Sequence, residues 1–208
     1  HGGGVNAPEH HSEAIESMLA HIPGLRVVIP SSPAKAYGLL LAAVRDPDPV
    51  VYLEPTRLYR AFREEVVDDG KALPLDTCFI EREGTDLTLV AWGAMMKETL
   101  EAAAKLAERG VSAEVIDVAT IKPFDADTVV ASVEKTGRCV IVHEAARTAG
   151  FGAEIAAQLQ ERAITALLAP IERVTGYDVV MPMPKLEMRY VPSTRRILEA
   201  CDRVMAWG

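Results

Sequence analysis

The stretch LRVVIPSSPAKAYGLLLAAVRDPDPVVYL, residues 25–53, decides the fold. Its first six residues are a short apolar run ended by Pro30, the pattern of a buried strand. Ser31-Ser32-Pro33 then marks a helix start, with Ser32 at the cap and Pro33 at the first helical position, where a missing N–H breaks no bond. The helix runs to about Arg45, and Asp46-Pro47-Asp48-Pro49 stops it. Residues 50–53 (VVYL) form a second continuous apolar strand. A largely apolar strand and a continuously apolar one, joined by a helix, predict a parallel α/β unit, because a sheet covered on both faces buries its strands. Just upstream, residues 12–20 (SEAIESMLA) are expected to be a helix capped by Ser12, with Glu13 and Glu16 at the positive end of its dipole.

The same alternation returns beyond residue 86. The segments 86–92 (DLTLVAW), 113–118 (AEVIDV), 139–145 (CVIVHEA) and 171–176 (IERVTG) predict strands. A helix is expected over 94–109, with Met96, Leu100, Ala103 and Ala107 on one face and Gly110 closing it. Another runs from a cap at Asp125 to about Lys135 and ends at Gly137. Two more are expected over 152–163 and over 193–206, the last capped by Ser193. Strands alternating with helices imply an α/β fold with doubly wound, mostly parallel open sheets. Residues 60–86 are charged, contain Gly70 and Pro74, and break the rhythm, so they are expected to link the two units. No internal repeat or low-complexity tract is visible.

The chain has 208 residues, 49% hydrophobic and 25% charged, as in ordinary globular domains. Its net charge of −8 opposes nucleic-acid binding, since an acidic field repels phosphates. No apolar run approaches the roughly 20 residues that cross a bilayer, and the first residues do not form a signal peptide. Cys78, Cys139 and Cys201 fit neither a zinc pattern nor a disulfide framework, and are expected to be reduced. The chain starts at His1, inside a glycine run, and is expected to continue an upstream segment.

Nucleophile-elbow, P-loop and dinucleotide-binding motifs are lacking. His10, His11 and His21 cluster early, without a third ligand at a metal-binding spacing. A loop histidine at a helix start is placed to donate a proton or hydrogen bond. A solvated histidine is the plainer alternative. His143-Glu144 sits at the C-terminal end of a parallel strand, the edge where open α/β sheets bind ligands; a polar pair closing the strand is the alternative. Gly150-Phe151-Gly152 precedes a helix and suits either tight packing or an anion. The turn at Ala43–Asp48 ends a helix with unpaired carbonyls beside Asp46 and Asp48, oxygens that suit a hard cation; an ordinary D-P-D-P turn is the alternative.

Residues 10–60, HHSEAIESMLAHIPGLRVVIPSSPAKAYGLLLAAVRDPDPVVYLEPTRLYR, closely resemble the β subunit of thiamine-diphosphate-dependent 2-oxo acid dehydrogenases, the E1 components of the branched-chain and pyruvate dehydrogenase complexes. The resemblance continues through LTLVAWGAMM, EVIDVATIKPFD, TGRCVIVHEA, GFGAEIAA and APIERVTGYDVVMP, in the family's order. It implies the C-terminal half of a pyrimidine-binding domain over residues 1–62, a linker over 63–85 and a transketolase C-terminal domain over 86–208. It implies an α subunit as partner, two of each subunit forming a heterotetramer (α₂β₂), with thiamine diphosphate and Mg²⁺ held between them. The glutamate that activates the cofactor is expected upstream of the matching region, so the chain alone is expected to be inactive. His11-Ser12-Glu13-Ala14-Ile15-Glu16 matches the family's H-S-Q-S-x-E, with Glu13 and Ala14 departing from it. The match makes His11 the candidate catalytic residue. The resemblance also places a K⁺ at Ala43, Val44, Asp46 and Asp48, mostly on backbone carbonyls. The implied reaction is oxidative decarboxylation of a branched-chain 2-oxo acid or pyruvate, with acyl transfer to lipoyl-E2. The alternatives are a stand-alone thiamine enzyme, of transketolase or deoxyxylulose-phosphate synthase type, and a non-catalytic E2-docking subunit. E2 binds E1 through a small basic domain, and Glu154, Glu161, Glu187, Glu199 and Asp202 are the candidate acidic contacts. The location implied is cytoplasmic, or the mitochondrial matrix in a eukaryote.

Overall fold

The computed structural model describes residues 1–7 and 10–207. In chain order the elements are α1 (Glu16–Ala20), β1 (Arg26–Val28), α2 (Pro33–Arg45), β2 (Val50–Tyr52), β3 (Phe79–Arg82), β4 (Leu87–Ala91), α3 (Met95–Glu108), β5 (Ala113–Asp117), β6 (Thr120–Lys122), α4 (Ala126–Thr136), β7 (Cys139–Val142), α5 (Phe151–Ala163), β8 (Glu172–Val174), α6 (Pro184–Tyr190) and α7 (Thr194–Met205). Three helices start as their sequences require: Ser32, Asp125 and Ser193 each accept a hydrogen bond from the backbone N–H three residues on. Gly137 ends α4 at φ 72°, a left-handed conformation glycine adopts without strain.

β1 and β2 pair in parallel, joined through α2, as the decisive stretch predicts. The larger sheet has the order β3-β5-β4-β7-β8, with every pairing parallel except β3 against β5. Side chains alternate across it. Leu87, Leu89 and Ala91 of β4 pack under α3 and α7, while Val90 packs with α4 and α5 on the other face. Helices thus cover both faces, the doubly wound arrangement.

Three expectations are corrected, and one strand is added. The stretch expected to be a linker ends in β3, an edge strand of the larger sheet. β6 lies where the sequence predicts no element; it pairs antiparallel with β1, so the smaller sheet is built from both units. The first helix starts at Glu16 rather than near Ser12, because the Ser12 hydroxyl donates to the Ala7 carbonyl and closes a loop instead of capping. The buried face of α3 is Met95, Met96, Thr99, Ala102, Ala103 and Leu106, whereas Leu100 and Ala107 face outward.

Gly84 lies where β3 turns toward β4. A Cβ there would fall inside the backbone of Ala113 and Glu114. Neither strand can retreat, since β5 is paired on both sides. Gly84→Ala is therefore expected to destabilise the fold by about 3 kcal/mol, measured as a lowered midpoint of urea unfolding.

Candidate functional site

The site is a loop pinned at both ends against the C-terminal edge of the larger sheet. The loop's described residues are 1–7 and 10–15, and it carries His11. Its first half is glycine-rich, and Gly2 and Gly4 have φ of 82° and 86°. Successive N–H groups therefore turn toward the second unit. Gly3 donates to Glu144 Oε2 at 2.9 Å. Gly4 and Val5 donate to Glu187 Oε1 at 2.6 and 3.3 Å, and Asn6 donates to Glu187 Oε2 at 2.8 Å. Glu144 follows β7 and Glu187 lies in α6, 5% and 1% exposed respectively. A buried carboxylate is costly unless hydrogen-bonded, and these two are bonded by backbone. Burial still raises the Glu144 carboxyl above its ordinary range, while the Gly3 N–H and Arg57 pull it back.

The other end of the loop is pinned at Glu16, the first residue of α1. Its carboxylate is fully buried, and Oε1 accepts from the Trp92 indole N–H at 3.3 Å. Oε2 lies 3.6 Å from His1 Nε2 and makes no hydrogen bond. Burial pushes this carboxyl up to about 7, and the neighbouring Glu144 charge acts in the same direction. Trp92 follows β4 directly. Its ring stacks on His143, with centroids 5.2 Å apart and planes at 10°. Phe151 meets Trp92 edge-on at 6.0 Å. His143 is fully buried and pressed against Gly150 and Gly152, which leave room for it by lacking side chains. Burial, then Arg173, lowers its pKa to about 3, so the ring is neutral.

Between these anchors His11 is exposed to solvent, with Ser12 buried beneath it. His10 Nδ1 lies 3.0 Å from Glu13 Oε2, and the Glu13 carbonyl accepts from Gly2 N–H. Of the other sequence candidates, His143 and Glu144 join this region, but as buried packing and anchoring groups. Gly150 and Gly152 serve close packing. Ala43, Val44, Asp46 and Asp48 lie apart, at the end of α2. There the carboxylates already face a cation: Arg26 Nε is 3.3 Å from Asp46 Oδ1 and 3.5 Å from Asp48 Oδ2. The Ala43 carbonyl accepts from Asp46 N–H at 3.4 Å. Among the described residues no three His, Cys, Asp or Glu side chains converge as a metal site. Glu187, counted from sequence among the acids available to a basic partner, is buried and spent on the loop, and is removed from that set. Glu154, Glu161, Glu199 and Asp202 are exposed.

A doubly wound sheet of order β3-β5-β4-β7-β8, joined to a smaller α/β unit through a loop at its C-terminal edge, defines a two-unit α/β protein of the transketolase type. Residues 76–197 match the family of transketolase C-terminal domains, and residues 1–61 match the transketolase pyrimidine binding domain. The chain belongs to the transketolase C-terminal domain family. It is 46% identical over 204 residues to the pyruvate dehydrogenase E1 component subunit beta of Bacillus subtilis, covering 98% of this chain and 63% of that protein. It is 50% identical over 198 residues to the subunit of the same name from Staphylococcus epidermidis, covering 95% of this chain and 61% of that one. The chain thus spans less than two thirds of the length of these relatives. A solved structure described as "Split gene transketolase, inactive beta4 tetramer" superimposes with a TM-score of 0.79 at 27% identity, over 95% of this chain and 63% of the other. The likeness to 2-oxo acid dehydrogenase β subunits seen in residues 10–60 is borne out.

Glu187→Ala would leave three loop N–H groups without their acceptor. It is expected to cost about 3 kcal/mol of stability and to speed amide hydrogen exchange at Gly4, Val5 and Asn6 well before global unfolding. Unchanged exchange at those three amides would contradict the pinning described.

Proposed function

We propose that this chain is part of the β subunit of a thiamine-diphosphate-dependent 2-oxo acid dehydrogenase, acting in oxidative decarboxylation with acyl transfer to a lipoyl group. The observation that carries the proposal is an exposed histidine, His11, on a loop whose two ends are fixed by buried carboxylates at the C-terminal sheet edge. That is the edge where open α/β sheets bind ligands. The relatives at 46–50% identity support the same assignment, and their names favour pyruvate over a branched-chain 2-oxo acid.

The described residues do not fit a Mg²⁺ site, since no three His, Cys, Asp or Glu side chains among them converge to hold a metal ion. In the proposal the cofactor's diphosphate and Mg²⁺ are held by an α subunit, in a heterotetramer with two copies of each chain. When bound, the cofactor supplies the electron sink for loss of CO₂. This chain supplies a wall of the site and a proton-transfer group. His11 can donate from or accept at a ring nitrogen, and its pinned loop lowers the entropy cost of meeting substrate or lipoyl. K⁺ at the end of α2 would be held by carbonyls of residues 43, 44, 46 and 48 rather than by carboxylates, which Arg26 already engages. The units proposed are residues 1–62 and 86–208, the second joined by β3 (Phe79–Arg82) from the end of the 63–85 connection, and the location proposed is cytoplasmic. Exposed Glu154, Glu161, Glu199 and Asp202 offer acidic contacts to a basic E2 module.

Three outcomes are expected. In the reconstituted heterotetramer, His11→Ala lowers turnover with lipoylated E2 by ~10²-fold and leaves the fold and thiamine diphosphate affinity nearly unchanged; wild-type turnover in a folded variant would refute the role of His11. The 208-residue chain with Mg²⁺ and thiamine diphosphate, lacking an α subunit, releases no CO₂ from pyruvate, and any measurable release counts against the shared site. Affinity of the heterotetramer for the E2 subunit-binding domain falls as salt rises to physiological strength; a salt-independent titration would exclude acidic docking.

A further inference from the structure

We propose that Glu16 is the positioning residue for His11: its buried carboxyl, hydrogen-bonded to the Trp92 indole, fixes the start of α1 and with it the loop that presents His11. The proposal rests on the assignment of His11 made above and deepens it.

The geometry carries the argument. α1 has five residues, far short of a helix that holds its own direction in water, and no side chain caps it. Its placement must come from tertiary contacts: Leu19 and Ala20 pack into the core at its far end, and its first turn is held at Glu16. Glu16 supplies one, across 76 positions of sequence, to a tryptophan at the end of the central strand of the larger sheet. Trp92 is itself immobilised between His143 and Phe151. His11 lies five positions before Glu16, so a shift of α1 away from Trp92 moves the histidine with it.

Among the described residues, the titratable and charged groups that bear on Glu16 are few. His1 faces it from the glycine loop, Glu144 from beyond β7, and Tyr190 from the end of α6. Glu13 lies on its own segment, and His143 lies across the indole. None of these is a fixed cation. The carboxyl is consequently most stable as the neutral acid, with its titration raised to about 7. Once ionised, it has one oxygen with no hydrogen bond and needs water. In this proposal water reaches it when α1 lifts from Trp92, and the His11 loop is released with it.

Two measurements test this. The chain has two tryptophans, Trp92 and Trp207, so a Trp207→Phe background reports Trp92 alone. Its fluorescence is expected to show a transition near neutral pH, absent when Glu16→Gln is added. In the heterotetramer reconstituted with its α subunit, Glu16→Gln still accepts the indole hydrogen bond and cannot ionise. It is expected to match the parent at mildly acid pH and to exceed it by roughly tenfold near pH 8.5. Glu16→Ala should lose roughly tenfold in kcat across the range, with KM for the 2-oxo acid unchanged. A Gln variant that tracks the parent at every pH, or a fluorescence transition that survives it, overturns the proposal. If Glu16→Ala does not fold, the Gln variant decides alone. A crippled His11→Ala beside unaffected Glu16 variants overturns this proposal only. Full turnover in His11→Ala removes the assignment of His11, and this proposal with it.

Discussion

Four consecutive backbone N–H groups, from Gly3 to Asn6, lie outside any helix or strand, and two buried carboxylates accept from them. Each partner solves a difficulty of the other. A glycine-rich loop lacks a strand or helix ladder to satisfy its amides. A buried carboxylate is expensive unless several donors surround it. Glycine at Gly2 and Gly4 allows the positive φ that aims successive N–H groups in one direction, forming an anion-holding nest whose anion belongs to the protein. Glu144 and Glu187 both come from the second unit, so the loop bearing His11 takes its shape only on that unit's surface.

Two further contacts make the units a single mechanical body. β6 leaves the larger unit to pair with β1, and Ile29 N–H donates to the Ala119 carbonyl at 2.7 Å beside it. Beneath that pairing, Lys35 of α2 reaches Asp117 at 2.8 Å and also contacts Glu81, while Ser31 donates to the same aspartate. Asp117 is fully buried, and burial raises its pKa, with Lys35 opposing the rise. Removing Lys35 would strand a charge in the core, whereas a well-packed apolar pair in place of both residues could be tolerated. The network therefore specifies how the units meet more than it stabilises them.

Local chemistry was legible in the sequence, and long-range chemistry was not. Ser32, Asp125 and Ser193 cap helices using only the next three residues, so their signals survive without tertiary context. Ser12 carries the same signal, but its hydroxyl is taken by Ala7 across a loop. The buried face of α3 was misphased because Thr99 looks polar; its hydroxyl bonds the Met95 carbonyl of its own helix, and the residue packs as an apolar one. β6 has three residues, too few to show a period. Glu187 was counted as a surface acid because composition cannot reveal that three amides wait for it; the one local hint was Pro184, at the first position of its helix. His11 owes its candidacy to a matched motif, since a lone loop histidine has no distinctive pattern.

The placement of His11 also follows from what fills the expected crevice. In a sheet ordered β3-β5-β4-β7-β8 the chain reverses direction between β4 and β7, and the gap beyond their C-terminal ends is where such folds bind ligands. Here the residues that follow those strands, Trp92 and His143, stack on each other and close the gap, with Phe151 against the indole. His143 is neutral and has no freedom to turn, because Gly150 and Gly152 touch its ring. The crevice has become a rigid floor. Its polar edge, the indole N–H of Trp92, points to Glu16, and the next residue along β7's extension, Glu144, takes Gly3. A position that elsewhere holds a ligand here holds the protein's own loop, and His11 is displaced outward, to the solvent-exposed side of that loop.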